Sequence, residues 1–172
     1  MLRLVNSAAM GRPHKIARIE DAVSFLGRNQ LWRWITLLFF AADGGGLTGP
    51  LLQTAAHRGR LMEILSSQFY AGDSLQSDRA FLVGMLSLID ALLRRPLEDI
   101  LPELHVDDVV QSAILKNEGP LGALLKLVQH LEATDYDCVD PLLAKLGIDY
   151  PKLQQADNQA YSWIHKLAST PD

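Results

Sequence analysis

The side chains able to do chemistry are sparse in this chain and stand apart from one another. His105, His130 and His165 fall on separate predicted elements and share no metal-ligand spacing, so they read as surface or packing residues. Ser66, Ser67 and Ser87 have no base at a recognisable spacing, and no activated nucleophile is expected. Cys138 lies between Asp137 and Asp140, whose negative charge raises a thiol pKa and disfavours a reactive thiolate. It is the one cysteine of the chain, so an internal disulfide is excluded and no cysteine-based zinc site of any kind is expected. The run Gly44-Gly45-Gly46, followed by Gly49 and Pro50, has neither the Lys-Ser/Thr pair nor the preceding strand of a phosphate-binding loop. It reads as a flexible connection. No catalytic, cofactor-binding or metal-ligating residue is singled out, and no cofactor is expected.

The elements that would position such groups are helical, with no convincing strand. Residues 2–9 read as the end of a helix, with Leu2, Val5 and Ala9 on one face and Asn6 and Ser7 placed to bond nearby backbone. Gly11 and Pro13 break it. Residues 19–26 form a short helix with Ile19, Ala22, Val23 and Leu26 on one face, closed by Gly27. Residues 29–42 follow, apolar enough in their second half to be core. Trp32 and Trp34 there point to different sides, one toward the core and one available as an anchor for a partner, with Arg33 as a rim contact. The next helix spans 51–70. Ser77 is placed to cap a helix over 78–93 with the apolar face Phe81, Leu82, Met85, Leu88, Ile89 and Leu92. Pro96 opens a short helix, Asp107 or Asp108 begins one over 109–116, and Gly119-Pro120 starts 121–133. Residues 134–140 are linker-like. Pro141 and Pro151 mark helices over 141–146 and 152–167.

The bulk properties are those of a soluble globular protein: 172 residues, 48% hydrophobic and 21% charged. There is no uninterrupted apolar run of about 18 residues and no signal peptide at the start, so no membrane partner and a cytoplasmic location are expected. The net charge of −4 hides an asymmetry. Residues 1–60 carry eight basic against three acidic groups, a balance of +5, and residues 61–172 eight against seventeen, a balance of −9. The basic groups Arg3, Arg12, Lys15, Arg18, Arg28, Arg33, Arg58 and Arg60 are scattered, with no interleaved aromatic platform. Nucleic acid is therefore not expected as a partner.

Residues 81–90, Phe-Leu-Val-Gly-Met-Leu-Ser-Leu-Ile-Asp, resemble the helix that carries the paired His-Asp of HD-type metal phosphohydrolases. At the His and Asp places this chain has Ser87 and Leu88, and at the following Gly place Asp90. A serine hydroxyl is a poor ligand for a divalent ion and leucine is none. Asp90 lies about 200° around a helix from Leu88 and does not replace the carboxylate. Thr54 stands where the first His of the family would be, and His57, three residues on, is the one residual candidate for a degenerate metal site.

Residues 2–11, with Leu-Val-Asn-Ser-Ala, and 19–27, with Ile-x-x-Ala-Val-x-x-Leu-Gly, are similar to the HD-related output domain, HDOD. That resemblance covers roughly residues 1–93. Residues 115–137 are similar to the subgroup in which the domain follows an EAL-type cyclic-di-GMP phosphodiesterase domain. The resemblance implies an all-α, HD-domain-like multi-helix bundle. It further implies a single HDOD-like domain over 1–172, with the family's first helices missing and 134–172 as a C-terminal helical extension. The implied function is a non-catalytic module of bacterial signal transduction linked to cyclic-di-GMP. It would act by protein–protein contact or conformational relay, with a signalling component or an attached EAL or receiver domain as partner. The alternatives are a degenerate metal-dependent phosphohydrolase and a nucleotide sensor using the vacated groove. The residues do not specify an oligomeric state.

Overall fold

Glycine and proline set where the first helix begins. Gly49 takes an extended conformation (φ −60°, ψ 134°) and Pro50 follows in the first turn, where its missing N–H leaves nothing unpaired. In the computed structural model, which describes residues 49–70 and 73–168, this opens α1 (Pro50–Phe69). The helices expected over 2–9, 19–26 and 29–42 lie outside the described residues, as do Asn6, Ser7, Trp32, Trp34 and Gly44 to Gly46. The architecture is all-α, with eight helices and no strand among the described residues.

Along α1 the buried positions Leu52, Ala55, Ala56, Gly59, Met62 and Leu65 recur at helical spacing. The helix that packs most closely on it, α2 (Ser74–Leu86), is buried all round from Ala80 to Leu86. The two backbones nearly touch. A Cβ on Gly84 would sit 2.6 Å from both Cα and N of Gly59, and one on Gly59 would meet the Phe81 carbonyl oxygen at 3.0 Å. Any larger residue at either position forces the helices apart.

The start of α2 differs from expectation. It lies one turn earlier than the Ser77 cap, because the Asp73 carboxylate accepts from the amides of Leu75 (3.1 Å) and Gln76 (3.3 Å). Its end also differs. The single helix expected over 78–93 is broken after Leu86, and α3 (Ile89–Leu93) starts afresh. At the break the Ser87 hydroxyl donates to the Gly84 carbonyl at 2.7 Å, a back-bond that competes with regular helix.

The remaining helices close around this pair. Pro96 precedes α4 (Leu97–Glu103), and Asp107 precedes α5 (Asp108–Lys116). The Asp107 carboxylate does not cap α5; it accepts from Arg79 Nε at 2.8 Å. The next helix, α6 (Gly119–Glu132), begins at Gly119 with φ +68°, which an L side chain rarely adopts. The acidic stretch expected as a linker over 134–140 belongs instead to α7 (Tyr136–Leu146), and Pro141 lies inside it. Thr134 and Asp135 turn the chain, and burial of Val139 and Leu143 outweighs the one hydrogen bond that Pro141 forgoes. Last comes α8 (Tyr150–Ala168), whose Leu153, Ala156 and Ala160 form a narrow buried seam. One hydrophobic core, from Leu52 to Ala160, joins all eight described helices.

Gly84→Ala is expected to lower stability by about 1–3 kcal/mol through overpacking of the crossing. The unfolding midpoint should fall by roughly 2–4 °C for each kcal/mol. Thermal melts followed by circular dichroism check it, and an unchanged midpoint contradicts the contact.

Candidate functional site

The α1–α2 crossing buries a charge. Arg58 follows Ala55 and Ala56 on the core side of α1 and is only 6% exposed. A guanidinium in that position must be paired, since an uncompensated buried ion costs several kcal/mol. Its Nε donates to Glu132 Oε1 at 3.0 Å, and Nη2 donates to Glu132 Oε2, a two-pronged contact with the last residue of α6. Its Nη1 donates to Ser87 Oγ at 2.7 Å, just past the end of α2. The Ser87 proton in turn goes to the Gly84 carbonyl at 2.7 Å. Four residues from α1, α2 and α6 thus form one closed network.

Sequence reasoning placed Ser87 where the HD resemblance expects a metal-binding histidine, and it missed Arg58. The signal was available: Arg58 sits between Ala55 and Met62 at core spacing, an arginine on an apolar stripe. Its carboxylate partner lies 74 positions away and left no local trace.

The residues present do not fit a divalent ion at this position. Ser87 Oγ already accepts from a cation and donates to a carbonyl. Leu88 packs against the core with an apolar side chain. Thr54, at the first histidine place, donates its hydroxyl back to the Pro50 carbonyl at 3.0 Å. The Arg58 guanidinium holds the positive charge there, and a second cation beside it would be repelled.

His57 faces elsewhere. Its Nε2 pairs with Asp157 Oδ1 of α8 at 2.9 Å, and its ring stacks on Tyr161 with centroids 4.2 Å apart. The pair lies in an open groove of about 830 Å³ between α1, α6, α7 and α8, with Leu61, Val128 and Leu153 among its apolar lining. Tyr136, Tyr150 and Tyr161 also line it, and each is more than half exposed. Neither His57 nor Asp90 joins a cluster of three metal-ligating groups among the described residues.

Of the other histidines, His105 holds a left-handed turn (φ 50°) and contacts the Glu103 carbonyl through Nδ1 at 2.9 Å. His130 stands on a separate element from the other histidines, as expected, and meets Asp135 and Cys138 in the α6–α7 turn. The hydrogen bond to Asp135, with the charges of Asp135 and Asp137, holds the Cys138 thiol above its ordinary pKa. The direction is the one expected, with Asp135 rather than Asp140 as the main cause.

The HDOD domain family matches residues 1–99. Over 170 residues the chain is 30% identical to the protein YuxH of Bacillus subtilis, covering 97% of this chain and 40% of the relative. Over 167 residues it is 27% identical to the cyclic di-GMP phosphodiesterase CdgJ of Vibrio cholerae, covering 97% of this chain and 38% of that protein. The chain therefore spans about two-fifths of the length of these relatives. No solved structure matches it. No helix among the described residues is long and apolar enough to cross a membrane.

Truncating one partner of the buried pair should cost far more than replacing both. Glu132→Ala is expected to lose about 3 kcal/mol, the lower end for a buried pair because Glu132 reaches the surface. The double variant Arg58→Met/Glu132→Leu should recover most of that loss. A double-mutant cycle in urea measures it, and additive losses would contradict the pairing.

Proposed function

This chain belongs to the HDOD family, and from that premise we propose that it is a non-catalytic module of bacterial signal transduction linked to cyclic-di-GMP. It acts by protein contact and conformational relay. The observation that carries the reading is the Arg58–Ser87–Glu132 network. Where HD phosphohydrolases gather ligands for a metal that makes hydroxide, this chain has a neutralised guanidinium and a leucine. Such an arrangement holds helices in register and leaves no group to activate water.

The link to cyclic-di-GMP rests on the Vibrio cholerae relative, a cyclic di-GMP phosphodiesterase of which this chain spans 38%. The remaining three-fifths of such a protein has room for an EAL-type catalytic domain, with the HDOD part as its regulator. The tyrosine-lined groove favours protein contact. Exposed tyrosines over an apolar floor supply rigid contact area at little entropic cost.

The test has two arms. The purified chain, supplied with Mn²⁺ or Mg²⁺, is expected to release no product from cyclic di-GMP or a generic phosphodiester. Turnover that disappears in His57→Ala would restore the phosphohydrolase reading. Calorimetric titration with cyclic di-GMP is expected to give no saturable heat. Saturation at one equivalent would replace the relay by a nucleotide sensor.

A further inference from the structure

The α6–α7 turn brings together three donor groups that play no part in the network or the groove described above. His130 Nδ1 lies 2.9 Å from Asp135 Oδ2, and one ligating atom from each of His130, Asp135 and Cys138 falls within 4.8 Å of the other two. It is the only three-donor group of this kind among the described residues. The three lie within nine positions of one another, on the last turn of α6 and the first turn of α7.

The turn is built around these side chains. Thr134, a β-branched residue, is held at φ +58°, where such residues are rarely found. Asp135 occupies the N-cap position of α7, yet its carboxylate makes no capping bond. It turns instead toward His130 and Cys138. An imidazole nitrogen, a carboxylate oxygen and a sulfur are the donor mixture that a borderline ion takes. In a tetrahedral site with metal–ligand bonds of about 2.0–2.3 Å the donors stand roughly 3.3–3.7 Å apart. The present separations need only a small closing motion, and Cys138 is exposed and outside any disulfide.

We propose that His130, Asp135 and Cys138 form a binding site for a divalent ion of the zinc class, with water in the fourth position. On binding, the thiol proton leaves to solvent and the sulfur coordinates as thiolate. The His130–Asp135 hydrogen bond is exchanged for two bonds to the ion, the imidazole proton passing through solvent from Nδ1 to Nε2 so that Nδ1 is free to coordinate. This site lies on α6 and α7, whereas the HD-type metal place lies at the α1–α2 crossing, so loss of one reading leaves the other standing.

Titration of the purified chain with Co²⁺ tests the assignment. One equivalent should bring up the visible ligand-field bands of a tetrahedral ion and the near-ultraviolet charge-transfer band of a cobalt–thiolate bond. Cys138→Ser should abolish the charge-transfer band, and His130→Ala should weaken Zn²⁺ binding, followed by competition with Co²⁺, more than tenfold. Asp140→Asn, outside the donor set, should bind as the unaltered chain does. Zn²⁺ should also raise the unfolding midpoint, an effect reversed by chelator. Absence of the thiolate band at saturating Co²⁺, or identical Zn²⁺ binding by Cys138→Ser, overturns the proposal.

Discussion

A buried guanidinium fixes the geometry of the described helices. Desolvating Arg58 is unfavourable by several kcal/mol, and only a correctly placed carboxylate offsets it. That requirement places the C-terminus of α6, where Glu132 lies, against the middle of α1. It also ends α2 at Leu86, because Ser87 must turn its hydroxyl to accept from Arg58 while donating to the Gly84 carbonyl. Three helices are registered by one side chain. The net gain in stability from such a pair is small compared with an apolar triad of equal volume. Its effect is on arrangement: a shifted α6 or a longer α2 would leave a charge buried without a partner.

The same side chain lies where the HD resemblance would place a metal. A metal site needs anionic or imidazole donors with free lone pairs, held rigidly about one point. Rigidity is present here, since Gly59 and Gly84 bring α1 and α2 to backbone contact. The donors at that point are a leucine and a serine whose hydroxyl is already engaged. The frame holds a structural ion pair at that point.

The sequence disclosed local chemistry well and distant pairing poorly. Pro50, Pro96 and the Gly119-Pro120 pair marked helix starts to within a residue or two, because proline and glycine act through their own backbone. The break at Ser87 was not legible, since the apolar stripe continues through Leu88, Ile89 and Leu92 and the cause is Arg58, 29 positions earlier. Likewise Asp107 reads as a cap by position, yet its carboxylate goes to Arg79 in another helix. Pro141 misled in the other direction. A proline directly after a linker-like stretch reads as a start, but α7 begins at Tyr136 because core burial of Val139 anchors the turn before it. The groove was half visible: His57 was marked, whereas Asp157 and Tyr161 come from a helix a hundred residues on.

The attachment of α8 to α1 is of a different kind from the α1–α2 crossing. Its contact with α1 rests on Leu153, Ala156 and Ala160, two of them too small to interdigitate deeply, with Trp163 set edge-on to Phe81 at 6.1 Å. The polar link between the two helices, His57 to Asp157, has its carboxylate 41% exposed, and ion pairs so placed contribute little. By contrast α1, α2 and α6 share a glycine crossing and a desolvated ion pair, both intolerant of sliding. The α1–α8 seam borders the tyrosine-lined groove.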